Sequence, residues 1–200
     1  MRCDTRKKKG PMKFGFIPAL LGLLLWGCGE PEPPSAKLVQ EDPLTSANID
    51  TLGTTNLAQG DTLIDDHNFT IVENTWRFRE SGEVFAWEFY AERLRPVKLI
   101  VLRALDKGER FELLGESETV IPKQIGINHF VLREPIPVEP RDYFGFIQPE
   151  EQAIPFKKVR NWQALGTLKP FQRPFMPREP FASYGWRYSV RVLYRQSAAN

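Results

Sequence analysis

From about Asp61 onward, hydrophobic and polar residues alternate with a period of two, the spacing that places side chains on opposite faces of a strand. Glu83–Ala91 sets Phe85, Trp87 and Phe89 on one face. Val97–Arg103 is an almost continuous apolar run of the kind a buried strand carries. Arg110–Leu114, Glu118–Ile121, Asn128–Leu132 and Asp142–Ile147 are shorter runs, and Asp61–Glu73 supplies another. The last strand, Trp186–Tyr194, turns Trp186, Tyr188, Val190, Val192 and Tyr194 one way and Arg187, Ser189 and Arg191 the other. Asp106-Lys107-Gly108, Gly115, Gly126 and Pro140-Arg141-Asp142 mark turns between them. No segment holds the i, i+3, i+4, i+7 spacing of an amphipathic helix. The expectation is an all-β domain over residues 60–196, a single antiparallel sandwich of about eight strands, jelly-roll-like.

The chain ahead of this domain follows a different pattern. Arg6, Lys7, Lys8, Lys9 and Lys13 precede an apolar run from Phe14 to Trp26. A basic head and a short apolar stretch describe a secretory signal over residues 1–27, with Met12 an alternative start. Leu25, Gly27 and Cys28 resemble the bacterial lipobox, in which the cysteine is acylated and becomes the new N-terminus. Trp26 departs from that pattern, since its position usually holds a small or β-branched residue. The other cysteine, Cys3, lies within the signal, so the exported part has no cysteine pair for a disulfide. The resemblance implies a membrane partner reached through acylated Cys28. The alternative is a plain signal or an anchor helix with Cys28 incidental. Gly29 after Cys28, in place of the aspartate that resembles an inner-membrane retention signal in enteric bacteria, points to the outer membrane of the cell envelope. Residues 28–59, opening with Glu30-Pro31-Glu32-Pro33-Pro34, read as an extended tether.

Charge separates along the chain. Residues 28–156 hold 12 basic and 23 acidic side chains, whereas residues 157–200 hold nine basic ones against Glu179 alone. Net-negative exported chains are poor partners for nucleic acid. The basic end either offers a surface to an anionic partner or packs along the acidic body of its own domain.

Residues 82–156 also resemble a recurrent secreted β-sandwich module. The residues that carry the resemblance are Trp87–Ala91, Arg95–Val101, Phe111–Glu116, Gly126–Phe130, Pro135–Val138, Arg141–Phe146 and Ala153–Phe156. It implies a jelly-roll-like fold and binding rather than catalysis, and it supplies no site residues.

Candidate chemistry follows from this. With His67 and His129 the only histidines, and no serine in a Gly-x-Ser-x-Gly elbow, the chain does not read as an enzyme. Asp61, Asp65 and Asp66 crowd enough carboxylates to suggest calcium, without EF-hand spacing; solvated charges at a strand edge are the alternative. Residues 157–185 form a loop rich in proline, aromatic and basic residues. Trp162, Tyr184 and Trp186 suit stacking on sugar faces, and Arg173, Arg178 and Arg187 suit carboxylate or phosphate, so an acidic glycan would engage both sets. The competing reading is that these rings close an open end of the sandwich. Together the residues predict a non-catalytic binding or adhesion lipoprotein recognising carbohydrate or another surface polymer. The alternative is an assembly lipoprotein docking on an envelope protein.

Overall fold

The computed structural model describes residues 49–57, 64 and 67–197. These fold as an all-β domain, and the only helical geometry among them is a single 3₁₀ turn at Asp106–Gly108. Thirteen strands form, against the eight or so read from the sequence: β1 (Ile49–Gly53), β2 (Phe69–Val72), β3 (Gly82–Ala91), β4 (Lys98–Leu105), β5 (Arg110–Glu116), β6 (Gly126–Val138), β7 (Tyr143–Gln148), β8 (Phe156–Lys158), β9 (Ala164–Thr167), β10 (Phe175–Pro177), β11 (Ala182–Tyr184), β12 (Trp186–Tyr188) and β13 (Val190–Gln196).

Three antiparallel sheets result, ordered β1-β13-β3-β6, β10-β5-β4-β7-β2-β9-β11 and β12-β8. The main core lies between the first two. Trp87, Phe89, Val190 and Val192 from one sheet meet Ile71, Leu99, Val101, Phe144 and Phe146 from the other. Gly145 is needed where β7 passes β2, because any Cβ there would collide with the carbonyl of Ile71.

A second core occupies the opposite face of the larger sheet. Val72, Ile100, Leu102, Tyr143 and Leu165 alternate with the residues above, and Phe171 and Met176 cover them, with Phe181 packed alongside. The sheet curls to make this possible. Its outer strands, six steps of about 4.8 Å apart, would stand about 29 Å from each other if flat. Yet Pro177 on β10 and Ala182 on β11 are joined by five Cα steps, at most about 19 Å. The segment between β9 and β11 is therefore a strap that runs from one edge of the sheet to the other and back.

Several strand assignments shift. Phe85 does not share a face with Trp87 and Phe89; a bulge between Val84 and Ala86 reverses the phase and leaves Phe85 outside beneath the Arg195 guanidinium. Glu118–Ile121 reduces to one bridge, Val120 to Val97. Pro135 and Pro137 lie within β6, an edge strand, where a missing N–H costs least. Trp186–Tyr194 is two strands, because the chain changes sheets at Ser189: β12 pairs with β8 and β13 with β3. Ile49–Gly53, within the stretch read as tether, pairs with β13 as β1. The stretch 157–185 is not one loop: it supplies β9, β10, β11 and part of β8, since its aromatic residues fill cores on both faces.

Candidate functional site

The strap and its flanking strands scatter the six proposed ligand residues over four places. Tyr184 and Trp186 stack on each other, ring centroids 4.1 Å apart and planes 17° apart. Trp186 also stacks on Phe156 at 4.4 Å, and Phe69 meets both rings edge-on. Each of the two rings thus has a face turned toward another ring, and both side chains are half-buried. Both pack against the main core.

Trp162 and Arg187 do come together, around a buried acid. Trp162 packs edge-on against Trp76 at 5.2 Å, with the Arg187 guanidinium 5.8 Å over its ring. Its Nε1 donates to Glu73 Oε2 at 3.4 Å, while Glu73 Oε1 has no hydrogen-bond partner. Burial pushes the Glu73 carboxyl up to about 8, against the opposing pull of the Trp162 hydrogen bond and the Arg187 charge.

Arg173 bonds to Glu116, which also accepts from Lys98 Nζ at 3.0 Å. Burial works to raise the Glu116 carboxyl, but these two cations outweigh it and hold it below its ordinary range. Arg173 is thereby engaged, at the rim of a cavity of about 340 Å³ floored by Ile147 and Phe171.

Arg178 lies elsewhere, in the largest concavity of those described, a basin of about 630 Å³. Arg77, Lys107 and Arg141 share that basin, and all four cations are exposed. Its two acids are already taken: Arg103 holds Asp142 through two bonds of 2.9 and 2.8 Å and reaches Glu139 at 3.1 Å. No carboxylate among the described residues stands within ion-pair distance of Arg77, Lys107, Arg141 or Arg178. The Arg77 guanidinium rests over the Tyr143 ring at 5.0 Å, and the amide side chains of Asn74 and Gln163, hydrogen-bonded to each other at 3.0 Å, complete the wall.

Arg77, Lys107 and Arg141 were not among the residues singled out from the sequence. Lys107 and Arg141 sit in the two turns recognised there, at φ of 60° and 78°. The turns themselves are the signal: β4–β5 and β6–β7 both turn at the same end of the sheet, so their tips converge.

Asp61, Asp65, Asp66 and Cys28 lie outside the described residues. Among the described residues no group of three His, Cys, Asp or Glu side chains is arranged to hold a metal ion, and no helix is long and apolar enough to cross a membrane. Comparison with protein families, curated proteins and solved structures finds no match to this chain.

Proposed function

We propose that this protein is a non-catalytic binding module of the cell envelope, tethered through acylated Cys28, that recognises an acidic surface polymer such as a carboxylated or sulfated polysaccharide. The observation that carries the reading is the basin, where Arg77, Lys107, Arg141 and Arg178 face solvent without a carboxylate partner among the described residues. The basin sets five cations, Arg103 included, against the carboxylates of Glu139 and Asp142, and a concavity of net positive charge concentrates anions and favours repeated ones over a single one. Guanidinium groups offer paired N–H donors that match carboxylate or sulfate oxygens. This assigns recognition to charge at the turn tips, and moves it away from the stacked rings of Tyr184 and Trp186.

Residues 67–197 carried on the full exported chain, titrated with dextran sulfate, polygalacturonate and neutral dextran, test this. Binding of the two acidic polymers, weakening as salt rises, is expected, with no response to neutral dextran. The Arg77→Ala/Arg178→Ala variant should lose about tenfold in affinity at unchanged melting temperature, roughly the 1.4 kcal/mol of one charge-assisted contact. Equal binding of neutral dextran, or an unaffected double variant, sinks the reading. A second reading, docking on an envelope protein, draws on Ile121, Ile125 and Ile127, all exposed within one short stretch.

A further inference from the structure

The 13 residues of β6 form the longest strand described, and β6 lies at an edge of its sheet. On one side it pairs with β3 at Gly126–Val131 and again at Ile136–Val138, with a register shift between the two stretches. On the other side, no backbone hydrogen bond beyond that pairing reaches Ile127–Pro137 among the described residues. Such an edge is a template for a further strand unless something guards it. The second half of β6 is guarded by Pro135 and Pro137, which have no N–H to offer. The first half, Ile127 to Leu132, contains neither proline nor lysine, and Val131 within it is 69% exposed. The remaining edge strands are short, five residues in β1 and three each in β8, β10, β11 and β12.

A cavity of about 340 Å³ opens beside this unguarded half. Trp87, Phe130, Leu132 and Val120 make its apolar walls and Ser117 a polar one. Trp87 is fully buried there, and its Nε1 donor has no hydrogen-bond partner. A buried N–H without an acceptor costs about 1–3 kcal/mol, which an incoming acceptor would recover.

The edge is also held ready. The Asn128 side chain accepts from the Lys123 N–H at 2.8 Å and donates to the carbonyls of Gln124 and Gly126 at 2.8 and 2.9 Å, fixing the turn that leads into β6. On the outer face, Glu88 bridges His129 and Arg191 at 3.1 and 2.6 Å, locking β6 to β3 and β3 to β13. Little order is left to be gained on binding.

We propose that the first half of β6 receives an extended segment of another polypeptide as a fifth strand, with one inward side chain, an apolar stem ending in an oxygen acceptor, seated against Trp87. Only a polypeptide backbone repeats donors and acceptors at the spacing of a strand edge, and alternate side chains of the added strand point into the cavity mouth. The unguarded stretch from Ile127 to Leu132 is about 20 Å long. That is a footprint of about six residues, well below the roughly 20–30 residues a side of a stable dimer. This site owes nothing to the acidic-polymer basin and stands or falls without it.

A phage-displayed library of random nonapeptides, panned on the full exported chain, provides the probe, and the enriched peptide is then synthesised. Binding should slow deuterium exchange at alternate amides from Ile127 to Leu132, leaving Arg77, Arg141 and Arg178 untouched. Val131→Pro should weaken it about tenfold or more; where that variant melts lower, the exchange pattern of the unaltered protein decides alone. Trp87→Phe should remove the preference for an acceptor-tipped side chain while still binding. Three results overturn the proposal: no enriched peptide from folded protein, protection that falls outside β6, or a concentration-dependent dimer protecting those same amides, which would make the second strand a copy of this chain.

Discussion

The two cores of this domain are built by different means. The one between the sheets is made by strands that, apart from the bulge at Phe85, turn every second residue inward, so Trp87, Phe89, Leu99, Val101, Phe144 and Phe146 meet by regular geometry. The one on the outer face needs a strap: Phe171, Met176 and Phe181 reach it from a segment with four prolines and little strand of its own. Proline-stiffened segments lose less entropy on folding, so they serve as well for covering a core as for displaying a surface. Proline and aromatic content alone does not say which.

That difference can be broken by measurement, and the largest effect belongs to the first core. Phe146→Ala, at a fully buried ring 5.0 Å from Tyr188, should cost about 3–5 kcal/mol in urea unfolding. Met176→Ala should cost about 2–4 kcal/mol if the strap closes a true core; a loss near zero would make the strap a loose cover and erase the comparison.

Glu73, where β2 runs out beside Trp162, adds a pH dependence. Its folded pKa of about 8 exceeds the 4.5 of an exposed glutamate, so the unfolded chain ionises first. Its contribution to stability is full below about pH 4.5 and is lost as pH rises through about 8, on the order of 2 kcal/mol or more across that window. Glu73→Gln should flatten the profile of melting temperature against pH; an unchanged slope would place its origin elsewhere. The smallest effect is expected at the strap's surface. Arg173→Ala, at a half-exposed side chain paired with Glu116, should shift stability by less than about 1 kcal/mol. A larger loss would mean that the strap is held by charge as much as by Met176.

The sequence made the fold class legible because β3, β4, β7 and β13 carry their own alternation. Sheet membership was less visible. The switch at Ser189 falls within an alternating run, and the reversal at Phe85 comes from a bulge that no residue type announces. The candidate site was legible only in part: Arg178 stood out within a basic segment, whereas Arg77 and Arg141 lie in the acidic half of the chain and join it only through the turns. Composition reports charge along the chain, and turns redistribute it in space.

The strand β1 has a mechanical consequence. It is the first described segment of the chain and pairs with the last strand through five positions, Ile49 opposite Arg195 to Gly53 opposite Arg191. Tension arriving from the residues ahead of Ile49 loads this zipper before it reaches either core. Releasing five residues yields about 17 Å of slack. Peeling then meets a stop at Thr54, whose hydroxyl donates to the Tyr188 carbonyl at 2.6 Å and whose N–H donates to that of Val190 at 2.9 Å. A pull on the leading end is absorbed by an expendable strand, and the turns at Lys107 and Arg141 keep their spacing under load.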